Sequence, residues 1–95
     1  MFGTTLRVLN GKRMDSREHA HAHLARRLRL PSYYGNNLDA LNDCLGEIVE
    51  PTRILLRNAS HLRESLGEYG ERLIAVLAEA AERNPSVTFV LREFY

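Results

Sequence analysis

The chain has almost no cysteine, no long apolar run and no glycine-rich phosphate loop, and one helix-length stretch of it has no cation. Cys44 is the only cysteine, so no internal disulfide can form and a four-cysteine zinc site is excluded. No apolar stretch approaches the ~18 residues of a membrane span, and "MFGTTLRVLN" lacks the pattern of a secretory signal. The expectation is a cytoplasmic protein that makes no contact with membrane. Internal repeats, low-complexity segments and linkers are also missing, so residues 1–95 read as a single domain. With 44% hydrophobic and 26% charged residues, the composition is that of an ordered globular chain.

The missing cations are the most informative of these absences. Thirteen basic residues are spread along the chain, yet none lies between Leu30 and Thr52. That interval carries Asp39, Asp43, Glu47 and Glu50, a local charge of −4 in a chain whose net charge is +1. A solvated helix face would account for such a block, and so would a surface built to meet a cationic partner.

Periodicity places these carboxylates. Thr4 to Asn10 reads as a strand followed by the turn residues Asn10-Gly11. Asp15 with Glu18 three residues later predicts a helix start, and Ala20, Leu24 and Leu28 predict a short helix ending before Pro31. Asn37 is placed to cap a second helix, with Leu38, Leu41, Leu45 and Ile48 along one side. At about 100° per residue, Asp39, Asp43 and Gly46 lie roughly 130° around from that stripe, facing outward. Cys44 falls beside Leu41, a position for a packed, reduced thiol. Strands are predicted after Pro51 ("TRILLRN") and at the end ("SVTFVLREF"). Between them come a short helical or turn segment at His61–Gly70 and a long helix burying Leu73, Ile74, Leu77, Ala80 and Ala81 up to the Asn84-Pro85 stop. Strands joined by helical crossovers imply an α/β fold with a small parallel sheet.

Three chemistries have candidate residues in the sequence. His19, His21 and His23 alternate, but on a helix only His19 and His23 share a face at zinc-pair spacing. Two imidazoles make no closed site, so the segment reads as a solvated helix surface with no metal. Asp39 and Asp43 could serve as paired acid and base, but no pocket, nucleophile elbow or cofactor motif accompanies them. The expectation is no enzyme, no catalytic residue and no cofactor. Arg26, Arg27 and Arg29 are basic, but Tyr33 and Tyr34 flank the acidic segment, where phosphate is repelled, so nucleic acid is not the expected partner.

"LRLPSYYGNNLDALNDCL" resembles the barstar family, the intracellular inhibitors of secreted microbial ribonucleases. The pattern Leu-Pro-x-Tyr-Tyr-Gly-x-Asn-Leu-Asp-Ala-Leu-x-Asp-Cys-Leu is met by Leu30 to Leu45 without a gap. Weaker agreement runs through "VLNGKR", "RILLRN" and "SVTFVL". The resemblance implies a barstar-like three-stranded parallel sheet with helices packed against it. It also implies a ribonuclease inhibitor, guanyl-specific-type in its target, acting as a monomer in a 1:1 complex. In that family the acidic helix and its preceding loop plug the nuclease active site. Carried over, Tyr33 is the loop tyrosine against the enzyme, Asp39 the first helix carboxylate and Asp43 the one entering the phosphate pocket. Glu79 matches a glutamate at the interface edge. The expected partner-binding set is Tyr33, Asn37, Asp39, Asn42, Asp43, Gly46, Glu47 and Glu79. Asn42 stands where the family has a bulky aromatic, and Gly46-Glu47 replaces a Thr-Gly pair. The alternative expectation is a non-inhibitory module of the same fold that binds another basic protein.

Overall fold

A computed structural model describes residues 3–95. The chain runs β1 (Thr5–Asn10), a 3-10 turn (Gly11–Arg13), α1 (Arg17–Leu28), α2 (Leu38–Gly46), β2 (Thr52–Arg57), α3 (Ala59–Leu66), α4 (Glu68–Arg83) and β3 (Val87–Leu91). The sheet has the order β1-β2-β3 and is parallel throughout. This is the expected α/β architecture, and β2 holds its centre.

Register explains why the sheet has one wet face. Thr52, Ile54 and Leu56 alternate inward along β2, and Leu9 and Val87 lie opposite members of that row. Arg53 points the other way and is exposed. Strands buried on both faces read as continuous apolar runs, whereas a strand covered on one face alternates as β2 does. The covered face meets Leu24 of α1, Leu41 and Leu45 of α2, Leu62 of α3, and Leu73 and Leu77 of α4, all fully buried. Each such leucine contributes ~1.5–3 kcal/mol by leaving water.

Gly11 is the one glycine that close approach demands. A Cβ there would lie 2.1 Å from the Asn58 carbonyl oxygen, inside any allowed contact. The chain therefore crosses tightly over the β2–α3 junction, and Asn58 Nδ2 donates to Asn10 Oδ1 at 2.9 Å.

Three local readings need correction. α1 is capped by Ser16, whose Oγ accepts the His19 N–H at 3.0 Å, and not by Asp15. Asp15 instead engages the His19 ring at Nδ1, 2.5 Å away, which lowers the carboxyl pKa and raises that of the imidazole. α2 ends at Gly46, so Ile48 packs from the following turn. The last strand stops at Leu91, because the carbonyls of Arg92 and Glu93 turn to accept the N–H groups of Ala59 and Ser60. That capping by main chain explains why α3 begins without a side-chain cap.

The largest correction concerns the histidines. His19 is solvated, but His21 and His23 are 2% and 6% exposed and belong to the interior. His21 sits beside the Ala20–Leu24–Leu28 stripe, and His23 reaches under the end of β1, where its Nε2 accepts the Asn10 N–H at 3.0 Å. Among the described residues no group of three His, Cys, Asp or Glu could hold a metal ion, and no helix is long and apolar enough to cross a membrane.

Candidate functional site

The two adjacent tyrosines before α2 have opposite fates. Tyr34 is 8% exposed, and its hydroxyl lies 2.6 Å from His21 Nδ1. The other ring nitrogen, Nε2, lies 2.6 Å from the Tyr69 hydroxyl on α4. A neutral imidazole offers one donor and one acceptor, and a phenol can play either part, so both ring nitrogens are satisfied. Burial first and the Arg17 charge second depress the His21 pKa and favour that neutral form. Burial pushes the Tyr34 phenol up. The Arg17 guanidinium stacks 4.0 Å above the Tyr69 ring and closes the cluster from outside. With Tyr34 pinned between α1 and α4, Tyr33 stands out of the loop at 77% exposure.

Both ends of α2 are tied. Asn37 Oδ1 accepts the Ala40 N–H at 2.7 Å, and its Nδ2 donates to the Gly35 carbonyl at 3.2 Å. Asp39 lies in the first turn, where the helix dipole favours a carboxylate. At the far end Asn84 Nδ2 donates to the carbonyls of Leu45 and Ile48, each at 2.9 Å. Asn84 was legible only as the stop of α4; in three dimensions it also caps α2. Leu38, Leu41 and Leu45 face inward, while Asp39, Asp43, Gly46 and Glu47 are exposed. Nothing lies within 4 Å of where a Gly46 Cβ would be, so that backbone is open to an approaching partner.

α4 supplies the opposite wall. Glu79 faces Asp39 and Asn42 across a groove of about 340 Å³ that Arg72 and Arg83 also line. Arg83 Nη2 donates to Asn42 Oδ1. A second recess of about 480 Å³ holds Asn42, Asp43, Gly46, Arg83 and Asn84. A third cleft, about 560 Å³, joins Asn37 and Asp39 to His21, Tyr69 and Arg72. Thus Asp39, Asn42, Asp43, Gly46 and Glu79 share one groove system, with Asn37 at its loop end; Tyr33 and Glu47 are exposed and line none of the three recesses. Segment 30–52 is free of cations, but the face it forms is not, because α4 brings in two arginines. Sequence spacing could not show this, since Asn42 and Arg83 are 41 residues apart.

The family model described as "Barstar (barnase inhibitor)" matches residues 4–92. The chain belongs to the barstar family. A curated relative from Bacillus subtilis (strain 168), "Putative ribonuclease inhibitor YrdF", is 37% identical over 76 residues, covering 79% of this chain and 84% of the relative. Within the barstar family frame, the Leu30–Leu45 motif has a physical division of labour. Tyr34 anchors the loop, Asn37 starts the helix, the leucines fix its roll and the aspartates are left outside.

Cys44 of the motif is half-buried and free, packed at the edge of the core. Burial first, then Glu47 and Asp43, raise its thiol pKa, which disfavours the thiolate. Cys44→Ala is expected to cost ~1 kcal/mol in a denaturant titration, because only a small part-exposed group is removed. A loss above ~3 kcal/mol would mean that the thiol packs as a full core residue.

Proposed function

We propose that this protein inhibits a secreted microbial ribonuclease by occluding its active site with the Tyr33 loop and α2. The observation that carries the reading is the pair Asp39 and Asp43, exposed one turn apart on a helix fixed at both ends. A ribonuclease stabilises a pentacoordinate, phosphorane-like anion, so its cleft concentrates arginine, lysine and histidine. Asp43 enters that phosphate pocket, Asp39 pairs nearer the rim, and Tyr33 lies against the enzyme surface. Asn42, Gly46, Glu47 and Glu79 complete the contact, and Asn37 holds the helix end that faces it. A carboxylate accepts the hydrogen bonds meant for phosphate and offers no bond to cleave. Because the loop and helix are already ordered, docking loses little conformational entropy. The inhibitor works as a monomer in a 1:1 complex inside the producing cell, with no cofactor and no chemistry of its own.

Titration of a panel of small guanyl-specific microbial ribonucleases tests the proposal. Stoichiometric loss of activity of at least one member is expected. Full activity of all of them at excess protein supports the second reading, a barstar-fold module that binds another protein. That reading draws on Asn42, which lacks the family's aromatic anchor, and on Arg83, which holds it.

Steering gives a further expected result. Raising salt from ~0.05 M to ~0.5 M shortens the screening length from about 14 to about 4 Å and should lower the association rate by roughly tenfold or more. The dissociation rate should change much less. Stopped-flow mixing reads both, and a salt-independent association rate contradicts steering by the acidic segment.

A further inference from the structure

A cavity of about 430 Å³ opens at the carboxyl ends of β1 and β2, away from the α2 face and sharing no residue with it. Asn10 and Arg57, the last residues of their strands, lie opposite each other in register there. Arg13, Arg26, Arg27 and Arg57 line it together with His23, and no carboxylate does. Among the described residues Arg13, Arg26 and Arg57 have no ion-pair partner, while Arg27 Nε donates to the Val8 carbonyl at 2.9 Å. The neighbouring groove shares Arg13, His23 and Arg26 and adds Lys12; its one carboxylate, Asp15, is engaged by His19.

His23 lies in the wall of the same cavity. Its Nε2 accepts the Asn10 N–H, so the neutral ring must carry its proton on Nδ1. Nδ1 is buried and has no hydrogen-bond partner, the only buried side-chain nitrogen or oxygen in that state among the described residues. An unmet buried donor costs ~1–3 kcal/mol. Four guanidinium groups converging without counter-charge also repel one another. One acceptor-rich anion relieves that repulsion.

We propose that this cavity binds a phosphate group in its dianionic form, held by Arg13, Arg26 and Arg57. Guanidinium forks match the oxygens of a phosphate two at a time. No Phe, Tyr or Trp lines the cavity, and its guanidinium groups are taken up by the phosphate, so recognition stops there. The ligand class is therefore inorganic phosphate or the terminal phosphate of a small ester such as a mononucleotide. This inference does not rest on the inhibitory reading.

NMR of the folded protein at constant ionic strength, titrated with inorganic phosphate, with adenosine 5′-monophosphate and with adenosine, tests it. The His23 ring and the Arg26 and Arg57 side chains should shift saturably with the two phosphates and not with adenosine, while the ring of exposed His61 should not. Arg26→Gln and Arg57→Gln, each checked for an unchanged melting temperature, should weaken binding at least ~10-fold, the effect of losing one charge-assisted donor. Equal affinity for phosphate and the mononucleotide supports recognition of the phosphate alone. Linear, unsaturated shifts, or saturation unaltered in both variants, would overturn the proposal. So would a far higher affinity for an unphosphorylated-end RNA oligomer than for phosphate, which would make the surface a polyanion track.

Discussion

Asp43→Ala is expected to weaken inhibition by at least ~3 kcal/mol, more than a hundredfold in Kd at ~1.4 kcal/mol per decade. Asp43 is exposed in the free protein and makes no ion pair among the described residues, so its charge is available. Docked in a phosphate pocket, it meets several cationic donors, and truncating it leaves those donors desolvated and unpaired. Barstar's own acidic hot spots set this scale; the assignment to Asp43 follows from its place in the motif and its outward position on α2. Asp39→Ala should do less, lying a turn earlier. Neither change should lower stability appreciably: Asp43 supports nothing in the fold, and Asp39 gives up only ~0.3–1 kcal/mol of first-turn dipole interaction. Glu50→Ala, exposed and outside the contact set, is the control and should slightly slow association only. Equal, mild effects of Asp43→Ala and Glu50→Ala on a nuclease that the wild type inhibits would contradict the plug.

Acid should destabilise the protein well above the range where its carboxylates titrate. Burial first, then Arg26, Arg27 and Arg13, lower the His23 pKa from 6.5 to about 4. A folded-state pKa below the unfolded one means that the unfolded chain binds more protons in between, so stability is full above 6.5 and declines as pH falls toward 4. The gap corresponds to ~3 kcal/mol in full, of which ~2 kcal/mol is lost by pH 5. His21, lowered by its own burial and by Arg17, adds to the decline. His19 works the other way, since Asp15 raises its pKa, but it is solvated and its effect is small. Denaturant titrations at pH 7.5 and pH 5 should therefore differ by ~2 kcal/mol or more, and His23→Gln should reduce the difference. A flat stability over that interval would show that neither buried ring resists protonation. If phosphate binds as inferred above, it should raise the His23 pKa.

What local spacing encodes was legible in the sequence, and what distant partners decide was not. The roll of α2 follows from Leu38, Leu41 and Leu45, because a helix turns by a fixed angle per residue and leucine has one preferred side. The outward position of Asp39 and Asp43 follows from the same arithmetic. Asn37 announced itself as a cap because its oxygen serves an N–H three residues away. The barstar resemblance added the fold and the candidate site. His21 and His23 were misread as solvated because histidine is polar and often exposed, and their partners lie elsewhere: Tyr34 and Tyr69 are 13 and 48 residues from His21. The neighbours of His21 offered a usable signal, since it shares the inner half of α1 with Ala20 and Leu24. No local pattern announces Arg83 on Asn42 or Asn84 under α2, as both require α4 to be packed first. The strand end at Leu91 was missed for a related reason, since the residues after it are drawn to the N-terminus of α3.

Steady-state kinetics of an inhibited ribonuclease on a dinucleotide substrate test the central claim most directly. If the Tyr33 loop and α2 fill the active site, substrate and inhibitor exclude each other. Apparent KM should then rise in proportion to free inhibitor while kcat at saturating substrate stays constant. A fall in kcat with KM unchanged would place the inhibitor away from the active site and contradict the account.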